Sequence, residues 1–116
     1  MKVTIKQEID ATEFWSNIWG ASPESFGSHW TMLYFNTGSD WDKIGTVRVA
    51  MIDPEDVWEE KEIKKTICLQ DLVDAYEKCW SGEAGIHRSY LDLDNLDCVG
   101  ADGIIQTAVL GKVIYG

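Results

Sequence analysis

Asp92, Asp94, Asn95, Asp97 and Asp102 place five oxygen-bearing side chains in one short stretch of the chain. Oxygen donors at alternate positions are what a calcium loop requires. An EF-hand loop counted from Asp92 has Asp94 at the third position. It then meets Leu96 at the fifth, where an oxygen ligand belongs, and Asp97 at the sixth, where glycine makes the turn. The spacing therefore reads as a solvated acidic loop that also caps a helix, and no metal site is expected. His29 and His87 are the only histidines. Either one beside Cys98 would make the nucleophile–base pair of a small hydrolase. No nucleophile elbow, glycine-rich phosphate loop or paired-histidine metal motif accompanies them. Among twenty carboxylates some acid pairs arise by chance. The expectation is a protein that is not an enzyme and carries no cofactor, with a small Cys/His hydrolase as the third alternative.

The residues that cannot do covalent chemistry are more telling. Twenty acidic residues stand against ten basic ones, a formal charge of −10 over 116 residues. So acidic a chain repels nucleic acid and membranes and attracts basic surfaces. The densest block holds Asp53, Glu55, Asp56, Glu59, Glu60 and Glu62, with Lys61, Lys64 and Lys65 to balance it. One reading is a solubilising face. The sharper reading is mimicry, with carboxylates spaced like phosphates in a basic groove, fast in association and weakened by salt. Six tryptophans must each be buried or cover something. Trp41, in a polar loop, and Trp58, in the acidic block, have charged neighbours. They are either exposed interface anchors or lids folded back on the core.

Length and composition bound the scaffold. At 116 residues with 45% hydrophobic content the chain is expected to be a single domain, residues 1–116, with one core. Cys68, Cys79 and Cys98 are odd in number and lack C-x-x-C spacing, which argues for reduced thiols rather than a disulfide framework or zinc site. The first ten residues have no apolar signal-peptide region, and no apolar run approaches the ~20 residues of a membrane helix. A soluble protein of the cytoplasm is the default.

The elements follow from periodicity. Val3, Ile5 and Ile9 alternate with polar residues, an opening strand. Asp10, with Glu13 three residues on, caps a short aromatic helix carrying Phe14, Trp15, Ile18 and Trp19, stopped at Gly20. Residues 29–35 and 44–52 read as an antiparallel hairpin around a polar loop that includes Trp41. The acidic block reads as a loop or short turn leading into a strand at 62–67; a helix starting at Pro54 is the alternative. Leu69, Leu72, Val73, Tyr76 and Trp80 recur at helical spacing up to Gly82. A last helix over 103–110 is capped by Asp102 and stopped by Gly111, and 112–115 adds a closing edge strand. This order predicts an α+β fold: a mostly antiparallel sheet of about four strands with two or three helices packed on one face.

The ending DGIIQTAVLGKVIYG, with the helix TICLQDLVDAYEKCW before it, resembles small acidic proteins carried by bacteriophages and prophages. The resemblance covers about the last fifty residues and includes no catalytic motif. It implies an accessory protein, acting in the host cytoplasm, that binds a host factor, including inhibitors of host defence such as anti-CRISPR proteins. The expected partner is a host protein with a basic surface, with no direct contact to nucleic acid or membrane. The expected contact residues are Asp53, Glu55, Asp56, Glu59 and Glu60 for charge, with Trp58 and Trp41 as anchors. The alternative is a homodimeric assembly protein that joins through an aromatic surface.

Overall fold

A computed structural model describes residues 9–36, 42–59 and 61–115. The opening strand, Trp41 and Glu60 fall outside the described residues, apart from Ile9, which precedes the first helix without strand structure. The fold is α+β. Among the described residues it has a three-stranded antiparallel sheet in the order β1 (Trp30–Phe35), β2 (Val47–Ile52), β3 (Glu62–Ile67), and three α-helices, α1 (Ala11–Gly20), α2 (Leu69–Trp80) and α3 (Cys98–Leu110).

Each strand pair joins sequence neighbours. Phe35 faces Val47 and Tyr34 faces Arg48 across the first hairpin; Val47 faces Ile67 and Ile52 faces Glu62 across the second. A register shift between Trp30 and Met32 marks a bulge at the start of β1. Period two divides the faces: Val47, Val49 and Met51 are fully buried, while Arg48 between them is exposed. Phe35 and Leu33 lie on the same side as the buried set, and Trp19 of α1 meets the Phe35 ring edge-on at 5.4 Å. The core gathers Phe14, Trp15 and Ile18 of α1, Leu72 and Tyr76 of α2, and Ile104 and Ile105 of α3 with this face.

The caps explain the helix starts. The Asp10 side chain accepts from Thr12 N at 3.0 Å and Glu13 N at 3.4 Å, as the sequence predicts. At α2 the Asp71 carboxylate reaches back to Cys68 N (2.9 Å) and Cys68 Sγ (3.3 Å). The backbone bond to Cys68 is the main reason its carboxyl lies below the ordinary range. A depressed carboxyl adds stability above its unfolded value and loses it as pH falls through the folded one. Asp71→Ala should therefore cost about 1 kcal/mol at neutral pH. Thermal melts across the acid range should show the gap to wild type closing; a constant gap refutes the assignment. Gly82, at φ +91°, follows α2 and supplies the left-handed turn that ends it.

Two sequence expectations change. The last helix begins at Cys98, not 103, and its cap is Asp97, which accepts from Gly100 N at 3.0 Å. Asp102 is not a cap; it lies inside α3, 1% exposed. The closing segment 112–115 forms no strand. Its backbone is held mostly by one side chain instead: Gln106 Oε1 accepts from Ile114 N and Tyr115 N, both at 2.9 Å, and Gln106 Nε2 donates to Tyr115 O at 2.7 Å, while Val113 N donates to Ala84 O at 2.8 Å. Of the four strands expected, three are present among the described residues.

Candidate docking surface

The acidic block is a structured extension of the β2–β3 hairpin. Asp53 N donates to Lys61 O at 2.7 Å, one step beyond the Ile52–Glu62 pair. The Asp53 carboxylate accepts from Glu55 N at 2.9 Å, and Asp56 N closes a turn on Asp53 O at 3.0 Å. Lys61 Nζ crosses the loop to Asp56 at 3.1 Å and approaches Glu59 at 4.0 Å. Val57–Glu59 form a single 3-10 turn, with no helix from Pro54. At its centre Trp58 is 98% exposed, and Val57 beside it is 47% exposed. Of the two readings of Trp58, the exposure disfavours the lid: the indole covers nothing among the described residues.

The base of this arm is bolted to the core. The Tyr115 hydroxyl donates to Ile52 O at 2.8 Å. Burial, with Asp53 nearby, pushes that phenol up. The Tyr115 ring stacks on His29, centroids 4.7 Å apart and 5° from parallel. His29 Nε2 meets Asp102 Oδ1 at 2.7 Å, the same oxygen accepts from Trp30 Nε1 at 2.7 Å, and Asp102 Oδ2 accepts from Gln106 Nε2 at 2.6 Å. This network joins the start of β1, the middle of α3 and the C-terminal segment behind the arm. Sequence reasoning missed it. Its one local signal was Asp102 and Gln106, four apart and so on one face of an apolar helix.

Asp53, Glu55, Asp56, Trp58 and Glu59 are thus brought together on one hydrogen-bonded loop. Asp53 and Asp56 are half-buried, and Glu55 and Glu59 are exposed. Whether Trp41 and Glu60 join them lies outside the described residues. Lys61 is the one described lysine in the loop, so negative charge predominates there.

The residues that could do chemistry are occupied otherwise. His87 Nδ1 accepts from Ser89 N at 3.0 Å and lies 2.9 Å from Ser89 Oγ, capping the turn Arg88–Tyr90. Neither histidine is hydrogen-bonded to a cysteine among the described residues. All three cysteines are free. Cys79 is buried beside Thr107 (3.3 Å), and burial raises its thiol above the ordinary value, which disfavours the thiolate. Asp92 caps the turn Leu93–Asn95 by accepting from Asp94 N, and Asp97 caps α3. Among the described residues no group of three His, Cys, Asp or Glu could hold a metal ion, and no helix is long and apolar enough to cross a membrane. An open groove of about 240 Å³ between α1 and α2 is lined by Phe14, Leu69, Val73, Tyr76 and Leu93 with Glu77 at its rim, and holds no nucleophile–base pair. No protein-family model, curated protein or solved structure matches this chain.

Proposed function

We propose that this chain is a non-catalytic binding protein that docks its acidic arm, residues 53–61, on a basic surface of a host protein. Trp58 is the anchor, and Asp53, Glu55, Asp56, Glu59 and Glu60 supply the charge. The observation that carries this reading is the indole held 98% exposed on a hydrogen-bonded turn. A solubilising face accounts for carboxylates, but it gives no reason to leave a large aromatic in water, where it forgoes on the order of 2–3 kcal/mol of burial. Tryptophan at the centre of a contact, ringed by polar groups, is the composition of an interface hot spot. The bonds within the arm and from Tyr115 to its base fix it before binding, so little ordering entropy is lost on contact. The charge of −10 steers the protein toward cationic partners and away from nucleic acid itself. A host factor that handles nucleic acid presents such a surface, and covering it would inhibit that factor.

The test is capture from host lysate on the immobilised protein, at low and high salt, with mass spectrometry as readout. Trp58→Ala should weaken capture of the salt-sensitive partner about 30-fold, the scale of one hot-spot aromatic. Its melting temperature should stay within about 2 °C of wild type, because an exposed ring contributes little to the fold. Glu55→Lys, Asp56→Lys and Glu59→Lys together should abolish capture. Undiminished capture by this triple variant overturns the proposal.

A further inference from the structure

The two edges of the sheet differ. The outer edge of β3 (EIKKTI), unpaired with any strand among the described residues, carries Glu62, Lys64 and Lys65, and charge along an edge discourages strand addition. β1 (WTMLYF) has no charged residue and no proline. It pairs only with β2 among the described residues, and Tyr34 on it is 53% exposed.

The backbone directions of β1 can be read from its ladder. Asn36 N donates to Thr46 O at 3.0 Å, so the Asn36 amide points toward β2. In an antiparallel pair alternate residues direct both N–H and C=O to the same neighbour. Tyr34 and Met32 therefore bond to β2, and the N–H and C=O of Leu33 and Phe35 point the other way. The bond from Ile52 N to His29 O (2.9 Å) agrees, because the bulge between Trp30 and Met32 reverses the alternation. Among the described residues, Leu33 and Phe35 thus offer an unpaired hydrogen-bonding edge on a neutral strand.

We infer that a second copy of this chain pairs with that edge, β1 against β1 antiparallel about a two-fold axis, making one continuous six-stranded sheet. The register is set by the free groups. Leu33 of one copy exchanges both bonds with Phe35 of the other, and the reverse pair does the same. Tyr34 then faces the second copy's Tyr34 across the axis, and Met32 faces Asn36. Every cross-strand pair is uncharged, so the interface is self-complementary in hydrogen bonding and free of like-charge contact. The antiparallel arrangement also separates the acidic arms. Each arm lies beside the His29 end of its own β1, since Ile52 bonds to His29. Reversing β1 sends the second arm to the opposite end of the sheet. A chain of charge −10 can self-associate there while its densest negative regions stay apart. The dimer would present two arms, doubling the docking valency. It does not depend on the arm's binding to any partner.

Sedimentation velocity on the whole chain tests this. Wild type should sediment at twice the 13.1 kDa of one chain. Tyr34→Lys and Tyr34→Glu each place like charges directly opposite one another and should weaken self-association about tenfold. Mixing the two variants should restore the dimer, because lysine then faces glutamate. Trp58→Ala should leave the dimer intact, so failure of the arm reading and failure of this one are distinguishable. Amide hydrogen exchange gives a second measure that needs no variant: protection of Leu33 and Phe35 should fall on dilution. A monomeric wild type, dimerisation of both Tyr34 variants as strong as that of wild type, or protection of those amides that is independent of concentration would each overturn the inference.

Discussion

Asp102→Ala should lower the stability of the fold by about 3 kcal/mol or more, the largest loss expected from any single polar side chain here. The carboxylate accepts from His29, Trp30 and Gln106 at 2.6–2.7 Å, and it is 1% exposed. Removing it leaves these three donors without the acceptor that satisfied them. A buried donor left unsatisfied costs about 1–3 kcal/mol. Gln106 keeps its bond to Tyr115 O, and Trp30 is only half-buried, so the sum sits near the lower end of three such losses. For a domain of this size that is a fall in melting temperature of roughly 10 °C or more. Asp102→Asn keeps one acceptor oxygen but turns an amide toward a donor, so its loss should fall between alanine and wild type. Denaturant unfolding followed by tryptophan fluorescence would measure both variants. A loss from Asp102→Ala below about 1 kcal/mol would mean that water replaces the carboxylate and that the network does not hold the C-terminal segment.

What could be read in the sequence divides along local and non-local lines. α2 was legible because Leu69, Leu72, Val73 and Tyr76 fall at helical spacing and Leu72 and Tyr76 are buried where that spacing puts them. The β1–β2 hairpin and the strand at Glu62–Ile67 were legible from β-branched and aromatic runs bounded by turn residues. The start of α3 was not. Asp97 and Asp102 are both residues that cap helices, and Gly100 between them, like Gly103 just after, looks like an interruption. What decides between the two aspartates is the arrival of His29 and Trp30, more than seventy positions earlier, at Asp102. No local pattern carries that. The β-branched and aromatic run Val113, Ile114 and Tyr115 gave a strand signal, but Gln106 took the backbone bonds of Ile114 and Tyr115 that a neighbouring strand would have supplied. In the acidic block the charge was plain, and the turn followed by a strand was legible. That Trp58 stands clear of the core depends on the Asp53–Lys61 and Asp56–Lys61 bonds, which sequence spacing permits but does not dictate.

Gly100→Ala should destabilise the protein by about 3 kcal/mol, and the adjacent control Gly103→Ala by less than about 1 kcal/mol. Both glycines are buried within α3. An alanine methyl at 100 would run into the backbone carbonyl of Tyr90 and come within 2.9 Å of Leu96 Cδ1. A carbonyl in the turn Arg88–Tyr90 cannot rotate away as a side chain can, so either that turn or the helix must shift, and overpacking of this kind costs typically 1–3 kcal/mol, occasionally more. At 103 the methyl would meet the Cδ1 end of Ile86 at 2.5 Å, the far end of a flexible side chain. Rotation there relieves the contact, and alanine regains close to 1 kcal/mol of helix propensity over glycine. The difference between the two variants, measured by denaturant unfolding, isolates close backbone approach from propensity. Equal losses would show that the approach to Tyr90 is not what seats α3. The seating bears on the docking surface, because Asp102 lies two residues beyond Gly100. A helix displaced at its first turn moves the acceptor that holds His29, and with it the ring on which Tyr115 stacks before reaching Ile52 at the root of the arm. Gly100→Ala should therefore weaken partner capture even below its melting transition, whereas Gly103→Ala should capture as wild type does.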